Sequence, residues 1–350
     1  METSARYNRI MTRLVASNFR LQGAASTWIA AYALATVYAG STLPTPLSLD
    51  YRHAFGFSDI VLTLIYASYV LGNLTALFAF GRLSDQLGRR TVTLSALGIA
   101  VASTLLFGFA ASTAWLFGAR IFSGPAIGIA AGTLTAWIAE LHPAGKEGAT
   151  IVTAAFNLAG LGAGAIVTGL LSRYGPSPLH FVYFVYLGAL GLIAALVAGS
   201  QETVKEKTEA RDVSQRPRIG VPKELRLAFV SPAATAFATF ALLGFYAALA
   251  PGLLATALHQ TSNAVAGAVV GELFVIATAT VLVTSALPSR SAAFIGLSLF
   301  FPSVALLVLA QTFSSMPLLL IGTACSGAAA ALGYRCSLAV INDCTRRAAR

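Results

Sequence analysis

Charge is scarce in this chain of 350 residues. Asp, Glu, Lys and Arg make up only 10% of it, where a soluble domain carries about 25%. Acids are the scarcer sign, 13 against 23 basic residues. The three cysteines, Cys325, Cys336 and Cys344, form no CxxC pair. That spacing excludes a disulfide framework and a zinc ribbon. The four histidines, His53, His142, His180 and His259, are scattered and make no HExxH. No GxxxxGK[ST] loop is present, so an ATP-driven pump is not expected. Nor do His, Asp and nucleophilic side chains cluster at one depth, as a membrane-embedded enzyme requires. No enzyme activity, metal or cofactor is expected.

What the chain has instead is apolar mass: 57% hydrophobic residues and a mean hydropathy of +0.76. So few polar residues cannot coat a core of this size against water. The solvent must be lipid. Spanning a bilayer takes about 20 apolar residues in a helix. That ruler gives ten candidate spans, at roughly 24–44, 59–80, 91–111, 114–139, 149–172, 180–199, 229–253, 264–287, 291–311 and 316–341. None alternates apolar and polar residues as a barrel strand does, so the prediction is an all-α bundle. Polar, Arg-bearing residues precede the first span with no cleavage pattern, so it reads as a retained anchor and not a secretory signal.

Nineteen of the 23 basic residues fall on one side of the predicted bundle, in the leading segment and the loops after even-numbered spans. Only Arg52 and Arg173 lie on the other side, and Arg120 and Arg335 fall inside spans. The positive-inside rule then puts the N-terminus in the cytoplasm. The same dispersal over loops argues against a nucleic-acid partner.

One long polar stretch, residues 201–227, holds mixed charge with Pro217 and Pro222. It divides the chain into six spans over 1–200 and four over 228–350. An offset of 203 residues lays Ser123-Gly124 on Ser326-Gly327 and Glu140 on Asp343. The pattern is that of a six-plus-six repeat lacking its last two spans.

Between the second and third spans stands Gly81-Arg82-Leu83-Ser84-Asp85-Gln86-Leu87-Gly88-Arg89-Arg90. The two glycines let helix ends approach and the chain turn sharply. Asp85 and Arg89 are four apart, the spacing of a helical ion pair. The segment resembles the cytoplasmic signature of the major facilitator superfamily. The fourth span, with Arg120 four residues before Gly124, resembles that family's second signature. The fifth, with Asn157, Gly160, Gly162, Gly164 and Gly169, has no Gly-Pro pair and so lacks the antiporter signature; its glycines read as packing.

The resemblance implies a helical bundle with a six-helix N-terminal half and, here, an incomplete four-helix C-terminal half. It implies a secondary carrier for a small solute, working by alternating access in a bacterial plasma membrane. It points to a proton as coupling ion and to export as one direction. In such a carrier Gly81, Asp85, Gly88, Arg89 and Arg90 form a gating loop. Asp85 would face an eleventh helix, and Arg89 would reach the acid ending helix four, here Glu140. Arg120 and Glu272 are candidates for proton coupling. Tyr32 and Tyr246 are cavity candidates, because helices one, four, seven and ten line the pathway in the resembled fold. Gly124 and Gly128, small residues four apart, suit close helix packing. Two alternatives stay open on the sequence: a complete ten-helix carrier of the drug/metabolite type, and a truncated membrane protein that transports nothing.

Overall fold

The computed structural model describes residues 23–80, 83–204 and 226–348. The leading segment, most of the 201–227 linker, and Gly81 and Arg82 of the loop motif lie outside the described residues. Every regular element among the described residues is a helix. In chain order they are α1 (Ala24–Thr42), α2 (Ser48–Phe55), α3 (Asp59–Phe80), α4 (Leu83–Leu87), α5 (Arg89–Gly108), α6 (Thr113–Leu141), α7 (Gly145–Tyr174), α8 (Pro178–Gly199), α9 (Arg226–Ala257), α10 (Asn263–Val283), α11 (Ser289–Thr312) and α12 (Met316–Ala348). Ten are long, of 19 residues or more. The two short ones mark the ends of the bundle: α4 lies at the motif end, and α2 at the opposite end.

Helices are the expected solution in lipid, because each satisfies its own backbone polar groups. Eight among the described residues are long and apolar enough to cross a membrane, and α9 is a ninth if its two bent halves count as one span. The bend is 47° between Ala233–Tyr246 and Ala248–Ala257. Pro251 explains it: proline has no N–H to give the carbonyl four residues back, at the break. The first of the ten sequence spans falls short on apolarity. α1 carries Ser26, Thr27, Thr36, Ser41 and Thr42. It spends them on protein contacts: Thr27 donates to the Leu141 carbonyl at 3.2 Å and Thr42 to the Leu161 carbonyl at 2.7 Å.

Two apolar cores form. The first gathers α1, α2, α3, α5, α6 and α8 around Leu34, Leu97, Leu134 and Trp137. The second gathers α7, α9, α10, α11 and α12 around Tyr246, Leu254 and Phe274. α7 belongs to both, with Ala149 in the first and Ala165 in the second. Its glycines set the spacing. A Cβ on Gly160 or Gly164 would overlap the Ala35 or Ala39 carbonyl of α1. A Cβ on Gly169 would stand 2.8 Å from the Asn263 carbonyl and 3.0 Å from the Gly267 Cα of α10. Small residues at such seams let backbones approach and gain dispersion energy, which lipid cannot supply between helices.

The Ser-Gly pairs matched by the 203-residue offset occupy similar places. Gly124 of α6 lies against α3, where its Cβ would stand 2.5 Å from the Tyr69 carbonyl. Gly327 of α12 presses on the Leu273 carbonyl of α10 in the same manner.

Candidate functional site

At the motif end, a turn places a paired arginine. Gly88 has φ 99°, in the region that glycine adopts without a side-chain penalty, and it stands one residue before α5. That turn points Arg89 back under α4. Its Nη1 lies 2.6 Å from Asp85 Oδ1 and donates to Ser84 Oγ at 2.6 Å. Its Nη2 donates to Glu140 Oε1 at 2.7 Å, and its Nε to the same oxygen at 3.2 Å. The Arg89 side chain is 8% exposed, while Asp85 is 55% and Glu140 38% exposed. One cation therefore serves two carboxylates, from the loop and from the end of α6. Fork geometry of this kind is a strong form of charge-assisted hydrogen bond.

The start of the linker completes this rim, which sequence reasoning missed. Glu202 accepts from the backbone N–H of Arg89 at 2.8 Å and of Arg90 at 3.3 Å, so its carboxylate caps the N-terminus of α5. Thr203 donates to Glu140. Trp137 Nε1 donates to the Gln201 carbonyl at 3.2 Å, and Arg90 Nη1 to the Ala198 carbonyl at 3.3 Å. An acid directly after the sixth span was the only available signal for Glu202.

Inside α6, Arg120 is 1% exposed. Its Nη1 donates to the Ser41 carbonyl at 2.9 Å. Aromatic faces cover the guanidinium: Tyr66 at 4.5 Å, and Tyr69 and Phe107 at 5.7 Å. Tyr66 and Tyr69 of α3 thus form much of its surroundings. Among the described residues Arg120 pairs with no carboxylate. Nearby, the Tyr51 hydroxyl of α2 donates to that of Tyr183 at 3.0 Å. Burial pushes the Tyr51 phenol above its ordinary range, against the opposing pull of the Tyr183 hydrogen bond and of Arg120.

In the other core, the buried Tyr246 hydroxyl lies 3.1 Å from Thr323 Oγ1 and 3.3 Å from Ser326 Oγ. Glu272 of α10 is half-buried, and its Oε2 has no hydrogen-bond partner among the described residues. Arg120 and Glu272 stand in different clusters and do not pair. Tyr32 is exposed, its ring edge-on to Phe156 at 5.1 Å. Gly128 lies against Asn73 of α3, as Gly124 lies against Tyr69. The structure thus brings Asp85, Arg89 and Glu140 together, and keeps Arg120, Glu272, Tyr32 and Tyr246 apart from them.

At the α2 end, a hydrogen bond crosses between the cores. Asn263 Nδ2 of α10 donates to Asp50 Oδ2 of α2 at 2.6 Å. Arg173 Nη1 donates to Ser262 Oγ at 3.4 Å beside it.

Among the described residues, ten long helices packed around two cores, with a charged turn at one end, form a helical bundle of the membrane-spanning kind. A sequence profile of the Major Facilitator Superfamily matches residues 27–350, and the chain belongs to that family. It is 26% identical over 174 residues to an MFS-type transporter of Methanocaldococcus jannaschii whose own description is uncharacterized. It is 31% identical over 144 residues to mouse solute carrier family 2, facilitated glucose transporter member 10. Those matches cover 49% and 41% of this chain, and 43% and 24% of the two relatives, so less than half the length of each is spanned. Its fold is similar to that of a bacterial homolog of the human lysosomal transporter Spinster, solved inward-facing and unoccupied. The TM-score is 0.70 at 13% identity, over 91% of this chain and 78% of that one.

Proposed function

We propose that the chain is a secondary carrier that moves a small solute across a plasma membrane by alternating access, coupled to protons. The two moving units in this reading are residues 1–200 and 228–350, with the N-terminus and the linker in the cytoplasm. The observation that carries it is the polar contact that joins the two units at the α2 end, together with an ordered ion-pair cluster inside the first unit at the motif end. At the motif end, Arg89 ties the α4 turn to α6 through Asp85 and Glu140. At the α2 end, Asn263 of α10 donates to Asp50 of α2 and so joins the two units. Alternating access by two rocking units needs a contact between them that forms in one state and breaks in the other, and the Asp50–Asn263 bond is placed to be one.

Glu272 is the better of the two coupling candidates. A carboxyl takes up and releases a proton, whereas a guanidinium stays charged at any working pH. Its unpartnered Oε2 leaves it able to accept a proton without breaking another bond.

The test needs no substrate. Spin labels at residues 146 and 286 report the motif end, and labels at 112 and 261 the α2 end, with the native cysteines replaced. Double electron–electron resonance in nanodiscs should give two distance populations at each end, widening at one as the other narrows. Asp85→Asn should shift their ratio, and Glu272→Gln should flatten its pH dependence. A single unchanging population at both ends would defeat the reading.

A further inference from the structure

Arg120 has more donors than its surroundings satisfy. Its Nε and Nη2 meet no hydrogen-bond partner among the described residues, although the residue is 1% exposed. These two N–H groups lie parallel along one edge of the planar guanidinium, the edge that binds an anion in two-point fashion. The aromatic rings around it attract the cation, but they leave those two donors without a partner and carry no full negative charge.

Arg120 lines a small cavity together with Ser48, Tyr51, Tyr66, Phe107 and Leu116. The cavity has room for about one water-sized guest. Ser48, the first residue of α2, is 2% exposed, and its Oγ is also without a partner. The wall therefore presents unpartnered groups from two separate helices. No carboxylate borders the cavity. Asp50 is engaged with Asn263, and Asp59 with Arg52. A buried charge is held against its desolvation cost only by a counter-charge of good geometry.

We propose that this cavity is an anion site, in which one chloride-sized monovalent anion sits against Arg120 Nε and Nη2 and accepts a hydrogen bond from Ser48 Oγ. The site does not depend on the transport reading. It is occupied by a counter-ion whether or not the carrier turns over. A cavity of this size suits a monatomic anion better than the larger phosphate or sulfate. The donor set excludes cations.

The test uses the full chain, purified in detergent in sodium gluconate and titrated with sodium chloride at constant ionic strength. Thermal midpoints should rise with chloride and saturate, as binding to the folded state alone requires. Bromide should act in the same way and sulfate should not. Ser48→Ala should raise the half-saturating chloride concentration roughly tenfold, the worth of one hydrogen bond to a charge. Arg120→Met should lose the chloride response altogether. Should that variant not fold, a bromide anomalous peak beside Arg120 in crystals of the unaltered protein carries the test, and a map without one counts against the site. A wild-type midpoint indifferent to chloride would overturn the proposal, as would an equal response in Arg120→Met. A formate response stronger than that to chloride would overturn the monatomic assignment and give the edge to a carboxylate.

Discussion

Arg89 and Arg120 are both buried arginines of the first core, and their surroundings are opposite. Around Arg89 the guanidinium meets a serine hydroxyl and two carboxylates, one from the adjoining turn and one from α6. Around Arg120 there are three aromatic faces, one carbonyl and two unmet donors. Removing a charge that has lost its water is costly only where it leaves opposite charges behind. The same substitution should therefore act with opposite sign. Arg89→Met leaves Asp85 and Glu140 unpaired at a partly wet rim, and should destabilise the fold by about 2 kcal/mol, between the values for surface and buried pairs. Arg120→Met, measured in gluconate, should be neutral or stabilising by about 1 kcal/mol. Unfolding of both variants in the same mixed micelles reads the comparison, and a loss of equal size at both sites would end it.

The next effect sharpens the contrast from the packing side. Gly124 holds α6 against α3, and α3 carries Tyr66 and Tyr69 onto Arg120. In Gly124→Ala the new methyl would stand 2.5 Å from the Tyr69 carbonyl, so the helices must part. Overpacking of this kind should cost about 1–2 kcal/mol. It should also weaken the chloride response, because the aromatic wall moves with α3. The rim shares no partner with that seam, so the additional loss on Arg89→Met should be the same in both backgrounds to within about 0.5 kcal/mol. Thermal midpoints of the double variant check this.

The two sites differ as much in how far the sequence reveals them. Asp85 and Arg89 are four residues apart in a stretch that turns on glycine, so their pairing is written in local spacing. The long helices are equally plain, because a run of apolar residues suffices to mark a span. Around Arg120 nothing local helps. Part of its wall comes from α2, an eight-residue helix with Asp50, Arg52 and His53 on it, too short and too polar to register as a span. Its carbonyl partner Ser41 is 79 positions away in the chain. The Tyr246–Thr323 contact spans 77 positions, and the bond from the Arg89 amide to Glu202 spans 113. Contacts of that range have no periodicity to read. The weak apolarity of α1 hid in the same way, since its hydroxyls look unfavourable for lipid until α6 and α7 are seen to accept from them.

The smallest expected effect tests whether the rim's order comes from the ion pairs alone. Glu202 caps α5 through the Arg89 and Arg90 backbone amides. Glu202→Gln keeps an oxygen to accept from those amides but removes the charge that complements the helix N-terminus. The loss should be about 0.5 kcal/mol, and raising the salt should shrink it, since a partly exposed charge at a helix end is screened over roughly 10 Å or less at 0.1 M ionic strength and above. The Arg89→Met loss should fade less with salt, because that guanidinium is largely out of water. Unfolding of the two variants in low and high sodium gluconate separates the cases. If Glu202→Gln cost as much as Arg89→Met at every salt concentration, the linker and not the ion pairs would be holding the α4 turn in place.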